Sequence, residues 1–458
     1  MENQYDLIII GAGPGGYPAA AKAADNGLKV AVIEKNELGG VCLNKGCIPT
    51  KALLHAADVY KETISCSSLG LSALNPQFDP LLIHARKNAM IQRLRSGIEQ
   101  LFKSKKIALY RGYAKVLDSG LVEVTDNEGK TEKLSCDKIL IACGAAPAMP
   151  PINGIDLPFV NTSDTLLTTD SAMPKQIVII GGGVIGMEFA GVYNAFGCQV
   201  TVIEALDRIL PTLDEEISST MSMIMKKRGV KLFCSSSVIK ITDKPEKQVI
   251  FSNKKGEASV PCDMVLVATG RKADATNIFA DDLPIKLNRG AIVVNENFAT
   301  NIEGVYAIGD AVYGSIQLAH ASTAQGLNII DQFLDKPATL TLSLVPACVY
   351  SSPEIASVGL TEAQAKAQGI PVAVGKSYFT ANGKALITEE DRSFIKLIYH
   401  AETDVLLGAQ LICARATDMI SEFTQAIACG LTKKQMASVI RPHPTYNETV
   451  HDAIEAVK

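Results

Sequence analysis

The hydrophobic positions of this chain gather into short, nearly unbroken runs. Leu7-Ile8-Ile9-Ile10, Val30-Ala31-Val32-Ile33, Ile177-Val178-Ile179-Ile180 and Val200-Thr201-Val202-Ile203 are the clearest. Runs of this length predict strands buried on both faces, as in a parallel sheet. The alanine-rich stretches between them predict helices. Further on the pattern changes. Residues 345–358, 394–399 and 406–412 predict strands, and 361–368 and 417–429 predict helices, so the end of the chain reads as α+β. Residues 86–106 place Ile91, Leu94, Ile98, Leu101 and Phe102 on one helical face. Arg86, Lys87, Arg93, Arg95, Lys103, Lys105 and Lys106 make that helix basic, and a solvated face is expected of it.

The pattern repeats. Leu7-Ile8-Ile9-Ile10-Gly11-Ala12-Gly13-Pro14-Gly15-Gly16 is matched by Ile177-Val178-Ile179-Ile180-Gly181-Gly182-Gly183-Val184-Ile185-Gly186, a shift of 170 positions. In each copy an acid, Glu34 or Glu204, stands 23 positions after the first glycine. Strand, glycine turn, helix, strand and acid make a dinucleotide-binding unit. Gly11 and Gly181 allow the tight turn. Gly13 and Gly183 leave room for a pyrophosphate, and Gly16 and Gly186 let helix and strand pack closely. The helix N-terminus attracts the phosphates, and the acid can accept hydrogen bonds from ribose hydroxyls. A carboxylate at Glu204 repels a 2′-phosphate and so favours NAD over NADP. Arg208 nearby reads as structural. A second echo, Lys138 to Gly144 and Met264 to Gly270, closes each unit. Pro147, Pro150, Pro151 and Pro158 then mark a crossing between domains.

Composition narrows the function. At 458 residues the chain has room for about three domains of ~150 residues. Lys plus Arg is 44 against 48 Asp plus Glu, so no basic excess exists to neutralise nucleic-acid phosphates. The start is polar, and no stretch approaches the ~18 apolar residues of a membrane span. The 11 cysteines are scattered and odd in number, unlike a secreted disulfide framework, and a cytoplasmic protein is expected.

Two cysteines stand apart from the rest, in Gly39-Gly40-Val41-Cys42-Leu43-Asn44-Lys45-Gly46-Cys47-Ile48-Pro49-Thr50-Lys51. Inert core thiols, half a metal site and a redox pair are the three readings. A metal needs two more ligands, and the six histidines are dispersed. A redox pair beside a nucleotide unit needs nothing further. The other nine, Cys143, Cys348 and Cys429 among them, are expected to be mostly buried free thiols.

With the double nucleotide unit, GGVCLNKGCIPTK resembles the disulfide-containing flavoprotein oxidoreductases, and among them the dihydrolipoamide dehydrogenases most. The resemblance covers nearly the whole chain. It implies an α/β fold of two Rossmann-like dinucleotide-binding domains plus a C-terminal α+β dimerisation domain. The expected division is 1–147 (FAD, first part), 148–271 (NAD), 272–341 (FAD, return) and 342–458 (dimerisation). It implies FAD at Gly11, Gly13, Gly16, Glu34, Lys51, Gly112, Cys143, Gly144, Asp310, Ala319 and His320. It implies NAD at Gly181, Gly183, Gly186, Glu204, Val238 and Gly270. Cys42 and Cys47 become the redox disulfide, with Lys51 paired to Glu188 near the flavin. Asp310, ending Thr300 to Asp310, is placed on the ribityl chain, and His320 is expected to contribute backbone. No metal is implied.

Near the end stands Arg441-Pro442-His443-Pro444-Thr445-Tyr446-Asn447-Glu448. A histidine framed by prolines, with a carboxylate five positions on, suits an oriented general base. The resemblance makes His443 and Glu448 the thiol-activating pair, reaching into a partner's site across a homodimer. Lipoyl domains of a 2-oxoacid dehydrogenase, acetoin dehydrogenase or glycine cleavage assembly are the implied partners, with neither nucleic acid nor membrane. Three departures from the family pattern stand out: Cys143 where threonine is usual, Arg441-Pro442 where His-Ala is frequent, and Lys45 between the redox cysteines. Neither a fused lipoyl domain nor a terminal cysteine pair is expected. The rival reading is an NADP-dependent reductase such as glutathione reductase. A docking subunit serving only as a surface is a second class, disfavoured by the intact redox residues.

Overall fold

The structure, a computed structural model, describes residues 4–169, 173–273, 275–390 and 392–458; the polar start at 1–3 lies outside them. Gln4–Ile10 lies between Val30–Glu34 and Thr131–Ile141, parallel to both. Ala108–Arg111 extends one side in parallel, and the hairpin Tyr113–Asp118/Leu121–Thr125 extends the other. Val305–Ala307 returns from far along the chain to pair with Thr131–Ile141. Helix α1 (Gly16–Asp25) packs through Ala19, Ala20 and Ala23, whose small side chains let it lie close to the sheet. Helices α2 (Gly40–Lys45), α3 (Cys47–Ser65) and α4 (Pro80–Ser104) follow.

The second copy rebuilds the same unit. Lys231–Phe233, Gln199–Ile203, Gln176–Ile180, Met264–Val267 and Val160–Thr162 form a five-stranded parallel sheet. Ile8, Ile9, Val178 and Ile179 are wholly buried, which is why their runs carry no polar alternation. Helices α5 (Ser163–Thr168), α6 (Val184–Ala195) and α7 (Glu215–Lys227) belong here, with a three-stranded antiparallel sheet at 237–261. Helix α8 (Ala319–Phe333) returns against α1.

The remainder is a five-stranded antiparallel sheet in the order Ala347–Val349, Glu354–Gly359, Leu406–Cys413, Phe394–His400, Val372–Tyr378. Around it stand α9 (Glu362–Ala367), α10 (Gly383–Ile387), α11 (Ala416–Ala428), α12 (Lys433–Ala437) and α13 (Glu448–Glu455). The single strand expected at 345–358 is two, because Pro353 cannot donate to a ladder. Val372–Tyr378 was not foreseen. Its centre is Gly375, where a side chain would run into the Ala453 carbonyl of α13. That packing need removes the apolar signal from the strand.

Other expectations are corrected. Helix α4 starts six positions before residue 86, where Asp79 accepts from Leu81 and Leu82 N–H at 2.8 and 3.3 Å. Leu94 is exposed, whereas Lys87 is buried and donates to the Leu167 carbonyl. Arg95 grips Asn44 and Glu37, so the basic face is partly committed to packing. Of the nine other cysteines only Cys198, Cys262 and Cys413 are buried; Cys143 and Cys348 are half-buried and Cys429, just past α11, is exposed.

Strand Phe394–His400 carries a buried cation. Lys396, 4% exposed, meets Asp214 at 3.2 Å, Glu216 at 2.8 Å and Glu362 at 3.1 Å, tying the second nucleotide unit to the last sheet. Burial pushes the Glu216 carboxyl up, but hydrogen bonds from Lys376 and Lys396 outweigh it and hold it below the usual range. Hydrogen bonds from Lys366 and Lys396 hold Glu362 low, against burial. Depressed carboxyls stabilise the fold above their ordinary titration range, and that contribution fades as pH falls through the depressed values. Lys396→Met leaves Asp214 buried without its cation and should cost about 3–5 kcal/mol in urea unfolding near neutrality. A loss under about 1 kcal/mol would show that the cluster is solvated.

Candidate active site

Both glycine turns lie at the carboxyl ends of their parallel strands, where such sheets bind ligands. In the first, Gly11 has φ +105° and a side chain there would strike the Ala142 carbonyl. In the second, Gly181 has φ +108° and faces the Ala268 carbonyl in the same way. A Cβ on Gly16 or Gly186 would enter the carbonyl of Gly11 or Gly181. The middle glycines differ: Gly183 faces open space, and Gly13 has only the Gly40 Cα, 3.7 Å from a Cβ. That open cradle at each helix N-terminus is what a pyrophosphate requires, so the residues fit dinucleotides. Gly186→Ala should therefore unfold the domain more easily, whereas Gly183→Ala should fold normally and bind NADH about tenfold more weakly, a difference fluorescence titration reads.

The acids hold the turns as well as facing the cradle. Glu34 accepts from Ala12 N–H at 2.7 Å and Asn36 N–H at 2.8 Å. Glu204 accepts from Gly182 N–H at 2.6 Å and Leu206 N–H at 2.7 Å. Each oxygen keeps a lone pair for a ribose hydroxyl. Arg208 donates to the Pro211 carbonyl, in keeping with a structural role. Gly112 donates its N–H to the Glu34 carbonyl at 3.0 Å. Val238 lies two positions after Ser236, whose N–H reaches the Glu204 carbonyl at 2.9 Å. Gly270 has φ +107° and accepts from Ala148 N–H at the crossing between sheets.

Ile308 N–H bonds the Ile141 carbonyl at 2.9 Å, so Cys143, Gly144 and Asp310 all follow the carboxyl ends of two neighbouring parallel strands. Burial pushes the Asp310 carboxyl up, against the pull of Arg271. Ala319 and His320 open α8, and the His320 ring is tied to the Pro346 carbonyl at 2.8 Å.

Cys42 and Cys47 are bridged, with Cα atoms 4.7 Å apart. The redox segment leans on the first turn: Gly39 N–H bonds the Ala12 carbonyl at 2.8 Å, and a Cβ on Gly40 would lie 2.7 Å from the Gly13 Cα. Asn44 staples α2, donating to the Leu38 and Gly40 carbonyls at 2.9 and 2.8 Å and accepting from Arg95 at 2.7 Å. Cys47 opens the 19-residue α3, so its sulfur sits at the positive end of a helix. Cys42 is the third residue of α2, which has only six residues and so a weaker field at its start. A thiolate is thus better stabilised at Cys47 than at Cys42.

Lys51 lies one turn beyond Cys47 on α3, and its Nζ is 2.9 Å from both carboxylate oxygens of Glu188 on α6. The two nucleotide units meet at this pair. Tyr350 completes it: its N–H donates to Glu188 Oε1 at 2.9 Å, and its ring centre lies 4.4 Å from Lys51 Nζ. Sequence reasoning missed Tyr350, Arg95 and Asn44. Only Asn44, inside the cysteine motif, carried any signal.

His443 Nδ1 and Glu448 Oε1 are 2.7 Å apart, and Glu448 Oε2 accepts from Thr445 N–H at 2.9 Å. The His443 hydrogen bond, then the Thr445 N–H, hold the Glu448 carboxyl below its usual range. A carboxylate at Nδ1 requires the proton there, so Nε2 presents the lone pair of a base. The ring is 77% exposed, and among the described residues no hydrogen bond or ion pair joins it to the disulfide of its own chain. Asn382 anchors the loop through the Thr445 carbonyl at 2.9 Å and the Thr449 hydroxyl at 3.0 Å. Among the described residues there is no group of three or more His, Cys, Asp or Glu that could hold a metal, and no helix is long and apolar enough to cross a membrane.

Comparison with known proteins agrees with this geometry. A dihydrolipoyl dehydrogenase of Bacillus subtilis is 40% identical over 99% of this chain and 98% of its own length. One from Zymomonas mobilis is 37% identical over 100% and 98%. Among solved structures, the HOCl-induced flavoprotein disulfide reductase RclA of Escherichia coli, as its Cu(II) complex, covers 100% of both chains with 29% identity and a TM-score of 0.89. Residues 5–326 match the pyridine nucleotide-disulphide oxidoreductases, and residues 345–454 match the dimerisation domain of that family. With two dinucleotide cradles flanking a bridged cysteine pair, the chain belongs to the pyridine nucleotide-disulphide oxidoreductase family, flavoproteins that use FAD and NAD.

Proposed function

We propose that this chain is a dihydrolipoyl dehydrogenase, oxidising protein-bound dihydrolipoamide at the expense of NAD+. The Cys42–Cys47 bridge lodged against the first dinucleotide turn carries the reading. Glu34, Gly112, Cys143, Gly144, Asp310, Ala319 and His320 would hold FAD with the first glycine turn. Glu204, Val238 and Gly270 would hold NAD with the second. The domain division is 1–147, 148–271, 272–341 and 342–458.

The chemistry of the chain's own residues follows from thiol exchange. Nε2 of His443 from the partner copy takes a proton from one substrate thiol, and Glu448 steadies the imidazolium. The thiolate attacks Cys42 Sγ. The Cys42–Cys47 bond breaks and Cys47 leaves as a thiolate at the α3 N-terminus. The second substrate thiol attacks the substrate sulfur of the mixed disulfide, and its proton passes to the departing Cys42 sulfur. A cyclic disulfide closes and Cys42 is released. The substrate has lost two electrons and two protons, and the cysteine pair has gained the electrons. FAD and NAD, when bound, supply the two-electron chemistry that restores the disulfide.

A homodimer places His443 against the partner's disulfide, and the exposure of its ring supports that arrangement. Lipoyl domains of a large dehydrogenase assembly are the partners, in the cytoplasm. The rival, an NADP-linked glutathione reductase, is separated by substrate choice. NADH with lipoamide should exceed NADPH with glutathione disulfide by a wide margin. The reverse order overturns the assignment.

A further inference from the structure

The environment of Lys51 assigns a role to a residue outside the motifs. Lys51 shares a face of α3 with Cys47, since residues four apart on a helix are neighbours. Its ammonium is the cation one turn from that sulfur. Glu188, 3% exposed, neutralises it from the other domain. A closed Lys–Glu pair has little net field, so its effect on the sulfur depends on where the ammonium is held. Two features of Tyr350 bear on this. Its N–H loads Glu188 Oε1, which already accepts from Lys51, and so draws down the negative end. Its ring, 4.4 Å from Nζ, gives the ammonium a seat that fixes its place without cancelling its charge. The Lys51 stem is flexible and its side chain is 30% exposed, so Glu188 alone leaves it room to swing about the carboxylate, and the ring narrows that range.

We propose that Tyr350 is a positioning residue of the redox centre: its ring holds the Lys51 ammonium where it favours the Cys47 thiolate, and so favours the reduced state of the Cys42–Cys47 pair. The last domain thereby sets the poise of the first through the strand Ala347–Val349, which delivers Tyr350. This deepens the proposed function and rests on the pair being redox-active.

The test is the equilibrium of the holoenzyme with dithiothreitol at fixed neutral pH, read by thiol labelling of Cys42 and Cys47. In that exchange the reagent's two thiols close into a ring as the protein's S–S bond opens, so electrons balance without another reactant. Tyr350→Leu should shift the equilibrium about fivefold toward the disulfide, and Tyr350→Phe, which keeps the π-face, should stay within about twofold of wild type. In a Lys51→Met background the Tyr350→Leu shift should vanish, because the ring acts through the ammonium. Should Tyr350→Leu fail to fold, Tyr350→Met removes the π-face at similar length. A wild-type equilibrium in every Tyr350 variant overturns the inference, as does an equal shift with Lys51 absent. A wild-type pair that releases no thiols contradicts instead the redox reading on which it stands.

Discussion

His443→Gln should lower dihydrolipoamide oxidation by about 10²- to 10⁴-fold while leaving the flavin spectrum and the urea midpoint near wild type. The ring contributes little to packing: it is 77% exposed, and among the described residues its hydrogen bond is to Glu448. Its loss therefore removes a base rather than a structural support. Glutamine can still meet Glu448 but cannot take a proton from a thiol. The substrate must then ionise unaided, and the deficit should shrink as pH rises toward the thiol range near 8.5. Glu448→Gln should show a milder form of the defect, since it leaves the ring but not its orienting charge. An unchanged rate in His443→Gln would remove the base from the mechanism.

Cys42→Ser should abolish dithiol turnover while NADH still reduces the bound flavin slowly. The serine hydroxyl cannot form the mixed disulfide, so the substrate has no sulfur to attack. The flavin should stay bound, because the segment docks on the first glycine turn through Gly39 N–H and Gly40, not through the sulfur. Cys47→Ser should fail equally with the dithiol. A colourless Cys42→Ser protein would instead give the bridge a structural role.

The unbroken apolar runs made both nucleotide units legible, because a strand buried on two faces has no polar alternation to hide it. The glycines were equally legible, for backbone geometry leaves no other residue type at Gly11 or Gly16. The distant pairing of Lys51 with Glu188 came from family resemblance; nothing in the spacing of residues 51 and 188 announces it. Tyr350 joins that pair from a third segment, just past a short Ala-Cys-Val strand that carries no signal of its own. Lys396 misleads in another way. Its segment, Phe-Ile-Lys-Leu-Ile-Tyr-His, reads only as a strand, and nothing in it announces that the lysine is buried against three carboxylates contributed by other segments. Cys429 failed as a buried thiol because its position past the last turn of α11, rather than its apolar neighbours, decides its exposure.

The most direct test mixes purified, yellow protein with dihydrolipoamide and either NAD+ or NADP+, and follows nicotinamide absorbance. Rapid NADH formation that requires both Cys42 and Cys47, with little or no NADPH, is the expected result. A flavin-loaded protein that forms no NADH from dihydrolipoamide would contradict the account.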